Sequence, residues 1–326
     1  TLGSDEPEMI RNYIIQEAQE NGISYVLLAG DADVSPIGQM QVPIRYFYCS
    51  VLSGGTTISS TIPTDLYYSA LDGNWNNDGD EWWGEPDEDD LLPELFVSRI
   101  PADNDEEIEN MLQKIINYQT YPVEADADHI LIAGQYLYAD PLSFGADYLD
   151  LLVGNRSDNG YTTQGIPEKF NITYLYDRSV YPDHWTTNEL MMNLNNGQNF
   201  IHHLGHSSNI TNMTLSLSYI SNDNFSLING TDHLNPIIYS EGCNAAKIDA
   251  VNFDGSDCIA EKMLEIDVSL SKRGEKLEFR DIAIGATAIT EGLVLISGNV
   301  SHFERMKKYG LKFKSREAFI DELRRL

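Results

Sequence analysis

Short apolar runs that stop at a small residue recur along this chain: Tyr25-Val-Leu-Leu-Ala-Gly30, His129-Ile-Leu-Ile-Ala-Gly134 and Pro236-Ile-Ile-Tyr-Ser240. A run of that length without polar alternation predicts a strand buried on both faces, as in a parallel sheet covered by helices. The segments between the runs carry helical spacing. Met9, Ile10, Tyr13, Ile14 and Ala18 fall on one face behind a Ser4/Asp5 cap, and Asn21-Gly22 closes that helix. Leu95 to Ile100 predicts a further strand. The helix after it has Asn104 and Glu107 as a capping box and Ile108, Met111, Leu112 and Ile115 as its buried stripe. Strands are also predicted at Ile172–Tyr176, Asn199–Leu204 and Leu293–Ser297, and helices at Asn188–Leu194 and Asp257–Leu264. The expected fold class is α/β, three layers about a mainly parallel sheet.

Tyr121-Pro122 ends the second helix, and Glu124 to Asp128 reads as a short acidic connector. A smaller N-terminal α/β subdomain, residues 1–124, is therefore expected to precede a larger one, residues 125–326. In parallel sheets functional residues collect at the carboxyl ends of the strands. Two such ends carry reactive groups. Phe200-Ile-His-His-Leu runs into Gly205-His206-Ser207-Ser208, and Ile237-Ile-Tyr-Ser-Glu runs into Gly242-Cys243-Asn244. If these strands are neighbours, an imidazole and a thiol emerge side by side. The imidazole lowers the thiol pKa and later protonates a leaving amine. Backbone N–H groups at the two turns would hold the tetrahedral oxyanion. His202 and His203 alternate on their strand, point to opposite faces and read as structural. Glu241, two residues from the thiol, is a candidate third group.

Gly205-His206-Ser207-Ser208, Cys243-Asn244-Ala245 and Cys258-Ile-Ala-Glu261 resemble the active-site segments of the gingipain-type cysteine peptidases. Tyr25 to Asp31, Pro63 to Tyr68, Leu71-Asp-Gly73 and Glu94 to Pro101 are similar to blocks that recur in that order in the family. The resemblance implies a caspase-like fold for the larger subdomain and a His–Cys dyad. It assigns Cys243 as nucleophile, His206 as general acid/base, and the backbone N–H groups of Ser207 and Cys243 as oxyanion donors. It also implies a protein or peptide substrate, calcium in the N-terminal loops, and a substrate pocket walled near Ser301, His302 and Phe303, in the loop Gly298 to Phe303 after the last strand. Departures from the family pattern are Ser207 where Gly is usual and His202-His203 where Asn-Tyr is usual. Glu265 to Glu291 is longer than the family's segment, and the chain begins as if a propeptide or N-terminal piece were absent.

The residues themselves also suggest a cation loop. Asn74, Asn76, Asp78, Asp80 and Glu85 occupy relative positions 1, 3, 5, 7 and 12, with Gly79 at position 6. That is close to the EF-hand spacing, in which a tight Gly turn lets alternate oxygens converge on Ca²⁺. Asp72 would supply charge that Asn74 lacks. Calcium would be structural, cross-linking a long loop without a core. Asp87 to Asp90 reads as solvated surface able to lend one ligand, and Asp31-Ala-Asp33 as a cap or cleft lining.

Charge limits the partners. With 21 basic and 51 acidic residues among 326, the net charge is −30. That excludes a broad basic face for nucleic acid or anionic membrane. No apolar run approaches the roughly 20 residues of a membrane span. Asn-x-Ser/Thr sequons at Asn155, Asn171, Asn209, Asn212, Asn224, Asn229 and Asn299 suit an extracellular or cell-surface protein. Cys49 and Cys258 read as core, and a Cys243–Cys258 disulfide would disable the nucleophile. The leading expectation is a cysteine endopeptidase acting through a thioester. A catalytically weak calcium-stabilised binding module and a non-proteolytic thiol hydrolase or transferase are the alternatives.

Overall fold

The computed structural model describes residues 3–33, 42–120, 122–158, 160–250, 257–266, 288, 293–297, 300–307 and 310–325. They divide into two compact units: residues 1–104 with 246–261, and residues 105–245 with 262–326.

The first unit opens on helix α1 (Glu6–Asn21), where Asp5 caps the Glu8 N–H and Gly22 leaves in the left-handed conformation that Gly accepts without strain. Strand β1 (Tyr25–Ala29) follows, then a hairpin of β2 (Arg45–Ser53) and β3 (Thr56–Thr64), the short helix α2 (Leu66–Ser69) and β4 (Phe96–Ile100). The hairpin turns through Gly54 and Gly55, both at positive φ, which suits a two-residue type I′ connection. Strands β1 and β4 pair in parallel, Tyr25 opposite Phe96. Contrary to expectation, β1 is not buried on both faces. Among the described residues its sheet has two strands, so Tyr25 and Phe96 stack at 5.1 Å on an open face, 75% and 68% exposed. The other face joins a core of Ile14, Leu28, Phe47, Tyr67, Tyr68, Trp75 and Leu95.

The second unit starts with α3 (Asp105–Thr120). The unit division therefore falls before this helix, ahead of the acidic connector at Glu124. Packing explains the placement: Asn110, buried on α3, donates through Nδ2 to the carbonyls of Glu265 and Ile266 at 2.8 and 3.0 Å. Ile108 and Met111 of the expected stripe are buried, whereas Ile115 is exposed. Next come β5 (His129–Gly134), β6 (Tyr136–Ala139), β7 (Leu142–Phe144), α4 (Gly145–Leu149), β8 (Asn155–Asp158), β9 (Tyr161–Gln164) and β10 (Asn171–Tyr176). They are followed by α5 (Asp177–Val180), α6 (Thr187–Leu194), β11 (Phe200–Leu204), β12 (Thr211–Asn212), β13 (Leu215–Ser216), β14 (Ile237–Ser240), α7 (Ile259–Leu264, of which residues 259–261 fall in the first unit), β15 (Val294–Ser297) and β16 (Lys312–Ser315).

Four of these strands form one parallel sheet in the order β10-β5-β11-β14. Its centre is dry: Ile130, Leu131, Ile132, Ala133 and Ile201 are buried. Thr186 and Glu189 make the capping box that starts α6. Of the expected loop Gly298 to Phe303, residues 300–303 belong to the helix Val300–Met306. Phe303 is buried with Ala288, Met306, Leu311 and Phe313 rather than open to a pocket, and the side chains of Ser301 and His302 lie outside those described. Most of the long segment 265–291, residues 267–287 and 289–291, lies outside the described residues, as do Gly298 and Asn299.

Candidate active site

Strands β11 and β14 are adjacent and parallel, with His203 opposite Ser240. His206 and Cys243 each stand three residues beyond that pair, so the two turns leave the sheet in step. The pairing runs one bond past the strands, from the Glu241 N–H to the His203 carbonyl at 2.8 Å. Beyond it the turns touch. A Cβ added at Gly242 would lie 1.8 Å from Ser207 Oγ and 2.6 Å from Ser207 Cβ. The residue before the thiol is thus packed against the residue after the imidazole, and the absence of a side chain there permits it. Asn244, the next residue, has φ +58°, a left-handed conformation that Asn tolerates, so Cys243 sits on a tight turn. Cys243 and His206 are both exposed. All three cysteines are free, and burial pushes the Cys258 thiol up to about 12. Of the three, Cys243 is the exposed one.

The floor of the site is polar and connected. Gln135, directly after β5, is pinned by its backbone: its N–H donates to the Leu204 carbonyl at 3.0 Å and its carbonyl accepts from Gly145 at 2.7 Å. Its side-chain Oε1 accepts the His206 backbone N–H at 2.9 Å and lies 3.0 Å from His203 Nε2. On the other side of the His203 ring, Nδ1 lies 2.9 Å from Ser240 Oγ. That hydroxyl oxygen accepts the Gly242 N–H at 3.3 Å. Ser207 Oγ donates to Asn212 Oδ1 at 2.7 Å, and Ser240 Oγ is 3.1 Å from the same oxygen. His203 is fully buried, and desolvation first, then the charges of His202 and His206, push its pKa down to about 4. As expected of a strand, His202 faces the other way. Its Nε2 is 2.8 Å from Glu241 Oε1, so Glu241 is engaged by His202.

Gln135 and Ser240 were not among the sequence candidates. The signal that singled out His206 and Cys243, a residue just past the carboxyl end of an apolar strand, applies equally to Gln135.

In the first unit, the expected cation residues separate into two groups. Ligand oxygens of Asp78, Asp80 and Glu85 lie within 4.8 Å of one another, and those of Asp72 converge instead with Asp90 and Glu94. Asn74 donates to Asn77 Oδ1, while Asn76 accepts the Gly79 N–H and donates to the Asp80 carbonyl, so both asparagines brace the turn. Glu88 braces the same loop. Its Oε1 accepts the N–H groups of Asn77 and Asp78, and its Oε2 is buried without a hydrogen-bond partner. Desolvation, then the charges of Asp80, Asp78 and Glu88, hold the Glu85 carboxyl above its usual range. The three converging carboxylates of Asp78, Asp80 and Glu85 are the donor type that a hard divalent cation takes. Asp31 and Asp33 are buried with their oxygens near those of Asp103, and Asp31 Oδ1 caps the Ala32 N–H at 2.7 Å.

Comparison with known proteins points the same way as the two turns. The model of the family described as peptidase family C25 matches residues 1–269. An uncharacterized protein of Archaeoglobus fulgidus is 24% identical over 231 residues, covering 69% of this chain and 48% of that protein. Lys-gingipain of Porphyromonas gingivalis is 28% identical over 163 residues, covering 48% of this chain and 8% of that one. The chain therefore spans about half the archaeal relative and a small part of Lys-gingipain. A solved structure titled as that of a protease superposes with a TM-score of 0.50 at 19% identity, covering 81% of this chain and 48% of its own. At that identity the likeness speaks for the fold: an α/β, caspase-like arrangement with a mainly parallel sheet.

Proposed function

This chain belongs to peptidase family C25, the gingipain-type cysteine peptidases, and on that premise we propose that it hydrolyses peptide bonds with Cys243 as nucleophile and His206 as general acid/base. The observation that carries the reading is the register of β11 and β14, which brings the two turns out in step and packs Gly242 against Ser207.

In the proposed reaction the Cys243 thiolate attacks the scissile carbonyl, and the electron pair moves to the carbonyl oxygen. The N–H groups of Ser207 and Cys243 receive that charge. Collapse of the tetrahedral species breaks the C–N bond as His206 protonates the amine, leaving a thioester on Sγ. Water, deprotonated by His206, then hydrolyses the thioester and restores the thiol. Peptide or protein substrates follow from this chemistry, and the acidic, sequon-rich chain suits an extracellular or cell-surface setting. No helix among the described residues is long and apolar enough to cross a membrane.

Labelling tests the dyad. An iodoacetamide or acyloxymethylketone probe should modify Cys243, as read by mass spectrometry, and the modification should disappear in His206→Ala. A folded protein whose Cys243 takes no label would refute the enzyme reading in favour of a binding module. A labelled protein that cleaves nothing in a positional peptide library would favour a non-proteolytic thiol hydrolase or transferase.

Calcium forms the second part of the reading. Asp78, Asp80 and Glu85 would hold the ion, whose role is to neutralise the carboxylates and tie the loop. At calcium about a hundredfold above its dissociation constant, such a site contributes about 2.7 kcal/mol. EDTA should therefore lower the melting temperature by several degrees, and Asp78→Ala should erase the difference. Identical melting curves with and without EDTA would exclude the site.

A further inference from the structure

His203 lies under both reactive turns, and each of its ring nitrogens leads to one of them. We propose that His203 is a positioning residue: through Gln135 it fixes the backbone N–H of His206, and through Ser240 it fixes that of Gly242, so that one buried imidazole sets the spacing between imidazole and thiol. This inference rests on the reading of Cys243 and His206 as the dyad.

The proton inventory selects one tautomer. Gln135 Oε1 accepts the His206 N–H, so the atom facing His203 Nε2 is an oxygen and Nε2 carries the hydrogen. The lone pair is then on Nδ1, where the Ser240 hydroxyl is the donor within reach. Asn212 Oδ1 has two lone pairs and is within reach of both Ser207 and Ser240, but with Nε2 protonated the buried Nδ1 depends on the Ser240 proton, while the Ser240 oxygen takes the Gly242 N–H. The two arms read Nε2–H to Gln135 Oε1 from His206 N–H, and Nδ1 from Ser240 Oγ–H with Gly242 N–H on the same oxygen. The neutral imidazole serves both arms in this way; a second ring proton would make Nδ1 a donor and send the Ser240 proton to Asn212 Oδ1, 3.1 Å away. Burial beside His202 and His206 keeps it neutral above about pH 4. A phenylalanine or leucine would fill the same space but serve neither arm.

The clamp also accounts for a glycine. A Cβ at Gly205 would lie 2.2 Å from Gln135 Oε1 and 2.6 Å from His203 Nε2, so the chain passes between clamp and solvent only without a side chain. The Gln135 backbone is tied at both ends, so its side chain starts from a fixed Cα, and Oε1 is held by the His206 N–H. The arms end on backbone N–H groups of the very residue that carries the imidazole and of the residue before the thiol. A misplacement of about 1 Å between such groups costs about a hundredfold in rate.

The test combines residue-resolved amide hydrogen exchange with the pH profile of Cys243 alkylation by iodoacetamide, in His203→Phe, His203→Gln, His203→Asn and Gln135→Ala. In His203→Phe and Gln135→Ala, exchange at His206 should accelerate and alkylation should fall about ten- to a hundredfold. His203→Gln, whose amide nitrogen replaces Nε2, should keep the His206 amide protected and restore most of the alkylation rate. His203→Asn, which reaches Ser240 only, should protect Gly242 but not His206. Wild-type exchange at His206 and a wild-type alkylation profile in folded His203→Phe would overturn the proposal. Should His203→Phe fail to fold, the same outcome in Gln135→Ala, which leaves the imidazole in place, would overturn it. If exchange responds as stated but wild-type Cys243 alkylates no faster than glutathione, the dyad reading fails, and the positioning role falls with it.

Discussion

Alanine at Cys243 is expected to abolish peptide hydrolysis, a loss on the order of a millionfold in kcat when a nucleophile acting within a unit is removed. His206→Ala should cost about a hundred- to ten-thousandfold, the usual range for a general acid/base. The double variant should be no worse than Cys243→Ala alone, since the two groups act on one bond as a unit. The measurement is turnover of a positional peptide library, with melting curves to show that each variant is folded. Cleavage that survives in Cys243→Ala would assign the chemistry elsewhere. Equal activity in His206→Ala and wild type would leave the thiol without its partner. The geometry behind the prediction is specific to the sheet: the paired residues His203 and Ser240 lie equally far from the two reactive groups.

The second large effect concerns stability in the first unit. Glu261, buried at the start of α7, accepts the Cys258 N–H at 2.9 Å and is hydrogen-bonded to the Asp31 carboxyl. Desolvation, then the Asp31 charge, push its pKa from 4.5 up to about 9. Asp31 is raised as well, first by burial, with the Asp33 charge acting in the same direction. Between those two pH values the folded protein keeps a proton on Glu261 that the unfolded chain has released. Stability is therefore fully present at low pH and declines as pH rises toward about 9, by up to about 1.4 kcal/mol per unit. Glu261→Gln keeps the shape and removes the titration. At pH 8 it should be more stable than wild type by about 5 kcal/mol, with little difference near pH 4.5. Denaturant midpoints at pH 5 and pH 8 would show this. Parallel pH dependences in the two proteins would mean that Glu261 is not held protonated by the fold.

Much of this molecule could be read from its residues. Asp5 and Gly22 bound α1 as their chemistry requires, and β5, β10, β11 and β14 fall where apolar runs stop. The reactive turns were legible because reactive residues follow directly on apolar strands. Contrary to expectation, β14, at the end of the sheet order, is not buried on both faces: Ile237, Ile238 and Tyr239 are exposed. What escaped had weaker local signals. The β2–β3 hairpin has a Gly-Gly turn, but β3 is Thr-Thr-Ile-Ser-Ser-Thr-Ile-Pro-Thr, too polar to read as half-buried. The helix at Val300–Met306 follows a strand so directly that Gly298 and Asn299 suggest loop. The placement of α3 depends on Asn110 meeting carbonyls more than a hundred and fifty residues away, at Glu265 and Ile266, a contact with no local trace. Gln135 is a single amide with no motif around it, and its role exists only once β5 lies beside β11.

The equal count from paired strand residue to reactive residue also limits how this chain can vary in length. Between His203 and His206, and between Ser240 and Cys243, one inserted or deleted residue would move one group by about 3.3 Å relative to the other, farther than a hydrogen bond can follow. Insertions at the Gly54-Gly55 tip or in the exposed β8–β9 hairpin carry no such penalty. A set of relatives, or a library of engineered variants, should therefore show free length variation at those tips. In the two reactive turns it should show substitutions alone.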